Sequence, residues 1–208
     1  MNIAQIAAKE LLKIKAVLLD TDKPFTWSSG IKSPIYCDNR LILSHPSTRD
    51  KIESSLTDLI KKHYPQVQII AGTSTAGIAH AAYVSKLLNL PMVYVRSKAK
   101  NHGTSKLIEG ETKPKQKIVV IEDLLSTGQS CLQVVNTLRK AKLQVLGVVA
   151  IFSYNMDICI KNFKINNCSY HTLTNLDVLS QVAIKNKYIN LKQQKRILNF
   201  RDCPKGKW

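Results

Sequence analysis

The chain is short of acid: 14 aspartates and glutamates stand against 31 lysines and arginines, a formal charge of +17. Aromatics are scarce as well, at 6%. They do not interleave with the basic residues as a base-stacking platform requires, so nucleic-acid binding is set aside as the main function. The basic excess consists largely of lysine, 25 residues spread from Lys9 to Lys207, alongside 13 asparagines. An AT-rich coding sequence yields that pairing without any ligand. A basic surface still favours an anionic substrate. No uninterrupted apolar run approaches the ~18 residues of a membrane-spanning helix. The N-terminal stretch, broken by Glu10 and its lysines, lacks a signal-peptide layout, so a cytoplasmic protein is expected. Cys37, Cys131, Cys159, Cys168 and Cys203 are odd in number, scattered, and form neither a CxxC pair nor a zinc pattern. Reduced structural thiols follow.

With 208 residues and no repeat or linker, the chain reads as one α/β domain, with residues 1–40 as a helix leading into a loop and extended segment and 41–208 as core. Helical spacing of Ile3, Ile6, Ala7, Leu11, Ile14 and Leu18 predicts a helix to about Leu19. A second helix is expected over 47–63, a strand over 67–71, a helix over 78–88 and a strand over 92–95. Residues 97–116 carry no apolar period, and a structureless segment of that length is usually functional. A strand over 118–121, a helix over 129–141 and a strand over 145–152 follow, with a basic C-terminal helix within 185–201. This alternation predicts a parallel sheet flanked by helices.

The most informative stretch is KIVVIEDLLSTGQS, residues 117–130. Ile118, Val119, Val120 and Ile121 leave no polar face, so the strand is buried on both sides. Two carboxylates, Glu122 and Asp123, follow directly. Ser126, Thr127 and Ser130 offer hydroxyls, and Gly128 permits close backbone approach. Helical period resumes at Cys131, so the loop lies at a helix N-terminus, whose free N–H groups suit a phosphate. The acids would repel a phosphate and need sugar hydroxyls or a divalent cation. A phosphorylated sugar is the implied ligand.

Three other segments join this one. GTSTAG, residues 72–77, is small and hydroxylated, precedes a helix, and lacks the Lys-Ser/Thr ending of a nucleotide-triphosphate loop. YVRSKAKNHG, residues 94–103, gathers Arg96, Lys98, Lys100 and His102, enough charge to neutralise a departing diphosphate. FTWSSGIKSPIYCDNR, residues 25–40, combines turn formers with aromatics, and Tyr36 offers a flat wall for a planar ring. Loops 72–77, 96–103 and 122–130 all follow strands, so one site at the strands' carboxyl ends can collect them.

The order strand, Glu-Asp, two apolar residues, Ser-Thr-Gly, x, Ser resembles the phosphoribosyl-diphosphate (PRPP) motif of the type I phosphoribosyltransferases. With FTWSSG, KSPIY, GTSTAGIAHA, YVRSKAKNHG and the Phe200-Arg201-Asp202…Trp208 ending, the chain resembles the orotate phosphoribosyltransferase family over about three quarters of its length. The resemblance implies a type I phosphoribosyltransferase-like parallel sheet with a small N-terminal hood. It also implies Mg²⁺-dependent transfer of phosphoribose from PRPP to N1 of orotate. Catalytic roles would fall on Lys100, His102 and Asp123. PRPP would be bound by Arg96, Lys100, His102 and the motif residues Glu122, Asp123, Leu124, Leu125, Ser126, Thr127, Gly128, Gln129 and Ser130. Glu122 and Asp123 would face the ribose hydroxyls, with Thr127, Gly128 and Ser130 on the 5′-phosphate. Orotate would meet Ser126, Ser28, Lys32 and Tyr36. No protein residue is assigned to Mg²⁺, which PRPP and water would hold. A homodimer is implied, its 96–106 loop acting in the partner's site, with no membrane or nucleic-acid partner.

This chain departs from some members in having Ser28, Ala76 and Ser97 where they carry lysine. Many members also place an arginine for orotate after the strand that follows the motif helix. Here that region reads Phe152-Ser153-Tyr154-Asn155. Backbone amides near residues 28–30, or Lys32, are expected to meet the orotate carboxylate instead. Purine transfer, or PRPP sensing by a nucleic-acid-binding regulator, are the competing functions.

Overall fold

A computed structural model describes residues 2–27, 30–96, 107–204, 206 and 208. Helix α1 (Ile3–Lys13) opens with a capping box between Asn2 and Gln5. It stops short of Leu19, because the backbone turns through left-handed Lys15 (φ 60°) into strand β1 (Val17–Leu19). Strands β2 (Phe25–Thr26), β3 (Lys32–Ser33) and β4 (Ile35–Cys37) follow. β2 pairs with β3, and β1 with β4, both antiparallel, making two small sheets that form the hood. A 3₁₀ helix (Asn39–Ser44) leads into α2 (Pro46–His63).

The core alternates β5 (Ile69–Thr73), α3 (Ala76–Leu88), β6 (Met92–Val95), β7 (Ile108–Glu109), β8 (Lys117–Leu125), α4 (Gln129–Lys140), β9 (Gln144–Ser153), α5 (Asp157–Ile165) and β10 (Tyr170–Asn175). Helices α6 (Leu176–Lys185) and α7 (Leu191–Asp202) close the chain. The six-stranded sheet runs β10-β9-β8-β5-β6-β7 and is parallel except for edge strand β7, which pairs antiparallel with β6. The apolar run of β8 shows why the sheet is covered on both faces. Val119 and Ile121 pack among Ile52, Leu56, Ile70 and Val84 on one side. Ile118 and Val120 pack among Leu132, Val135, Leu138 and Phe163 on the other. All four strand residues are fully buried, each worth about 1.5–3 kcal/mol of transfer energy.

Several boundaries differ from expectation. β8 runs on through Glu122, Asp123, Leu124 and Leu125, because β9 is long enough to pair Leu124 with Phe152 and Leu125 with Ser153. The acid pair and the two leucines are therefore strand, not loop. β5 is displaced toward Thr73, since Gly72 and Thr73 pair with Tyr94 and Val95 of β6. Part of the stretch expected to be structureless forms β7, while residues 97–106 lie outside the described residues. The basic C-terminal helix starts later than residue 185: α6 ends at Lys185, and a capping box of Asn190 with Gln193 starts α7 at Leu191.

Neighbours β5 and β8 send their chains in opposite directions, β5 toward β6 and β8 toward β9. Their carboxyl ends form the switch point where open α/β sheets bind ligands.

Candidate active site

Two helix-opening loops meet at that switch point. After β5, Ser74 Oγ donates to the Val95 carbonyl at 2.5 Å, tying loop 72–77 to the end of β6. Gly72 and Gly77 let α3 lie directly on the sheet: a Cβ on Gly77 would come within 2.4 Å of Thr73 Oγ1 and 2.5 Å of the Ile121 carbonyl. After β8, Gly128 takes a left-handed conformation (φ 74°) as N-cap of α4. Gln129 and Ser130 stand exposed in the first turn of α4, whose N–H groups have no intrahelical acceptor. Thr127 is fixed from α5, where Asn162 Nδ2 donates to its carbonyl at 2.8 Å. The result is an N–H-rich, hydroxylated cradle suited to a phosphate.

The two acids differ in setting. Asp123 is partly exposed, whereas Glu122 is buried. Thr73 Oγ1 donates to Glu122 Oε1 at 2.7 Å, and the Asp123 N–H donates to the same oxygen at 3.0 Å. Glu122 thus braces the motif strand against β5. Burial, reinforced by the neighbouring Asp123 charge, pushes its carboxyl up to about 8. Its cost to folding is absent below pH 4.5, where both states are protonated, and grows as pH rises toward 8. Glu122→Gln keeps the accepting oxygen without the charge. The unliganded variant is expected to be more stable than the parent by about 1–3 kcal/mol above pH 8, the gain shrinking toward zero near pH 5. Denaturant melts at the two pH values check this; an equal change at both would remove Glu122 as the titrating group.

Beside the cradle lies a cleft of about 620 Å³, walled by Thr26, Trp27, Ile31, Tyr36, Cys37, Leu124, Ser126, Thr127 and Tyr154. The hood forms one wall and the motif the other. Asn39, buried at 1% exposure, links them: its Nδ2 donates to the Asp123 carbonyl at 2.7 Å, and its Oδ1 accepts from the Cys37 thiol at 3.4 Å. Burial, then the charge of Asp123, holds the Cys37 thiol well above its usual range. Burial likewise raises Cys131 and lifts Cys159 to about 11. These thiols stay protonated and are poor nucleophiles.

The structure places Tyr36, Leu124, Ser126 and Thr127 on this cleft. Lys32 is not on its wall; its Nζ donates to Thr26 Oγ1 at 2.7 Å, so the ammonium sits by the rim. Arg96 follows the end of β6 and pairs with Glu109 at 3.3 Å. Leu125 is sealed in the core. Ser28, Lys98, Lys100 and His102 lie outside the described residues. Thr26, Trp27, Ile31, Cys37, Asn39 and Tyr154 also belong to the cleft or its support, beyond the site residues that the sequence singles out. An aromatic residue just past the carboxyl end of a core strand was the available signal for Tyr154.

A second hollow of about 830 Å³ lies near β7 and the C-terminal end of α4, lined by residues such as Ile108, Lys113 and Lys140. None of the acid or hydroxyl groups above lines it.

Comparison with known proteins agrees with this geometry. Residues 41–172 match the phosphoribosyl transferase domain. An orotate phosphoribosyltransferase of Listeria innocua is 50% identical over 98% of this chain and 98% of its own. The crystal structure of orotate phosphoribosyltransferase from Aeropyrum pernix superposes with a TM-score of 0.74 at 26% identity, covering 88% of this chain and 99% of that one. The Leishmania donovani UMP synthase structure gives a TM-score of 0.82 at 27% identity, covering 96% of this chain and 42% of that one. A cradle for phosphate at the switch point, a hooded cleft beside it, and 50% identity to the Listeria relative over nearly all of both chains lead to one assignment: the chain belongs to the orotate phosphoribosyltransferase family, within the type I phosphoribosyltransferases.

Proposed function

We propose that this protein transfers the 5-phosphoribosyl group of PRPP to N1 of orotate, giving orotidine 5′-monophosphate and diphosphate in de novo pyrimidine synthesis. The observation that carries the reading is the adjacency of the α4 phosphate cradle and the hooded cleft, which sets a ribose 5′-phosphate beside a planar ring. Thr127, Gly128 and Ser130 take the 5′-phosphate at the α4 N-terminus. Asp123, the more exposed acid, takes the ribose diol, and Glu122 acts from behind as a brace. Ser126 and Tyr36 flank the ring, and Lys32 supplies positive charge at the rim.

Orotate's ring nitrogen is a weak nucleophile, so departure of diphosphate leads and leaves an oxocarbenium-like sugar. The chain's work is then to stabilise charge and exclude water. Arg96, Lys100 and His102 meet the leaving diphosphate. The oxygen donors beside the cradle fit Mg²⁺: Asp123 presents a carboxylate, and a hard cation keeps most of its ligands as substrate oxygens and water. Bound with PRPP, Mg²⁺ would supply positive charge against the diphosphate. The loop of residues 96–106 acts in the partner's site of a homodimer. Buried reduced thiols suit a cytoplasmic location.

A spectrophotometric assay with PRPP and Mg²⁺ tests the reading, offering orotate, hypoxanthine, adenine and xanthine in turn. Orotate alone should be consumed, and chelation by EDTA should abolish turnover. Consumption of a purine base would overturn the acceptor assignment. For the dimer, mixing Lys100→Ala with Asp123→Ala protein should restore part of the activity that each lacks alone. No restoration would place the loop in its own subunit's site.

A further inference from the structure

Among the described residues that wall the cleft there is no arginine, yet orotate carries a carboxylate. Arg201 of the chain's closing helix is engaged elsewhere: it bonds Asp177 and, at 2.7 Å, Asp202. Asp177 in turn receives Asn155 Nδ2 at 2.9 Å. That network anchors the turn after β9, in which Asn155 is left-handed (φ 59°), and so fixes the residue before it, Tyr154.

Tyr154 is held on every side. Its N–H donates to the Leu125 carbonyl at 3.0 Å, at the end of β8. Its ring packs on Trp27 (centroids 5.2 Å) and edge-on to Phe152 (5.5 Å). Trp27 is backed by Phe200 of α7 (5.4 Å), and Phe200 by Trp208 (5.7 Å). Only 3% of the residue is exposed, and that remainder lies on the cleft. Among the described residues, none bonds to its hydroxyl. A buried tyrosine normally finds such a partner. Burial, then the nearby Cys37 and Asp123, hold the phenol well above its usual range, so the hydroxyl remains a neutral donor. Neutrality suits this wall, because a cation there would be drawn to Asp123 instead.

We propose that Tyr154 is the specificity-determining donor of the acceptor site, its rigidly held O–H hydrogen-bonding a carboxylate oxygen of orotate. The proposal rests on the cleft being the orotate site. A site built to bond a substrate group discriminates strongly against analogues that lack it.

Tyr154→Phe removes the hydroxyl and keeps the packed ring. The expected result is a rise of about 10- to 100-fold in KM for orotate, the scale of one hydrogen bond to a charged group. The KM for PRPP and the thermal midpoint should stay put. Uracil, which lacks the carboxylate, should inhibit the variant and the parent with the same Ki. An unchanged orotate KM, or equal weakening of uracil and orotate, overturns the proposal. Ile31→Trp, which fills the cleft from the hood, separates the two levels of argument. If it blocks orotate use while Tyr154→Phe is silent, the Tyr154 assignment alone fails. If it too leaves orotate KM unchanged, the cleft is not the acceptor site.

Discussion

Lys100→Ala is expected to lower kcat about 100- to 1000-fold, the range for loss of one preorganised charge-stabilising donor, while PRPP binding weakens far less. The reasoning is differential. Under the proposed function PRPP arrives with its diphosphate already charged, and the α4 cradle would hold it whether or not Lys100 is present. The extra negative charge develops only as the C1–O bond breaks. A cation that meets it then contributes to the transition state and little to the ground state, so its loss appears in kcat. Steady-state kinetics at saturating orotate, with PRPP affinity measured separately, distinguishes the cases. Intact turnover would take the 96–106 loop out of the chemistry. A KM rise at constant kcat would make Lys100 a binding residue only.

The second large effect is expected at Gly77, and its sign is the test. In an exposed helix, glycine to alanine stabilises by about 1 kcal/mol. Here the added Cβ would sit 2.4 Å from Thr73 Oγ1 and 2.5 Å from the Ile121 carbonyl. Neither can yield cheaply. The carbonyl belongs to the central strand, and the Thr73 hydroxyl is bound to Glu122. The start of α3 must lift off the sheet, carrying loop 72–77 with it and freeing the buried Glu122 carboxyl. Gly77→Ala is expected to destabilise by about 3 kcal/mol, at the upper end for overpacking, and to raise KM for PRPP more than that for orotate. Denaturant unfolding and kinetics with each substrate varied check it. A more stable variant would mean that propensity outweighs packing and that α3 is not pressed on β8.

These expectations show which parts of the molecule can be read along the chain. The buried strand at residues 118–121, the helix after Gly128 and the sharing of one site by the loops after β5 and β8 follow from local rules. Four successive apolar residues leave no face for water, a glycine followed by a helical period marks a start, and parallel strands present their carboxyl ends together. The resemblance to type I phosphoribosyltransferases rests on the same contiguous residues. Helix ends were less legible: α1 stops at Lys13 because the chain turns at Lys15, a left-handed lysine that no propensity announces. The start of α7 at Leu191 depends on Asn190, whose capping box with Gln193 opens the helix inside the basic stretch.

The roles of the two acids were beyond local reading. Glu122 and Asp123 are chemically alike and adjacent, yet one is sealed against Thr73, a residue 49 positions away, and the other reaches solvent. Alternation along a strand sends neighbours to opposite faces, but what each face meets depends on how β5 lies against β8. The cleft is the same kind of fact. Trp27, Asn39, Tyr154 and Phe200 lie far apart in sequence and meet only because hood, sheet and α7 pack together. Patterns along the chain set the elements and the hydroxyl-rich start of α4, since those depend on neighbours in sequence. Long-range packing chose which acid is buried and which side chains line the cleft, since burial and hydrogen-bond partners are properties of contacts that do not exist until the chain has folded.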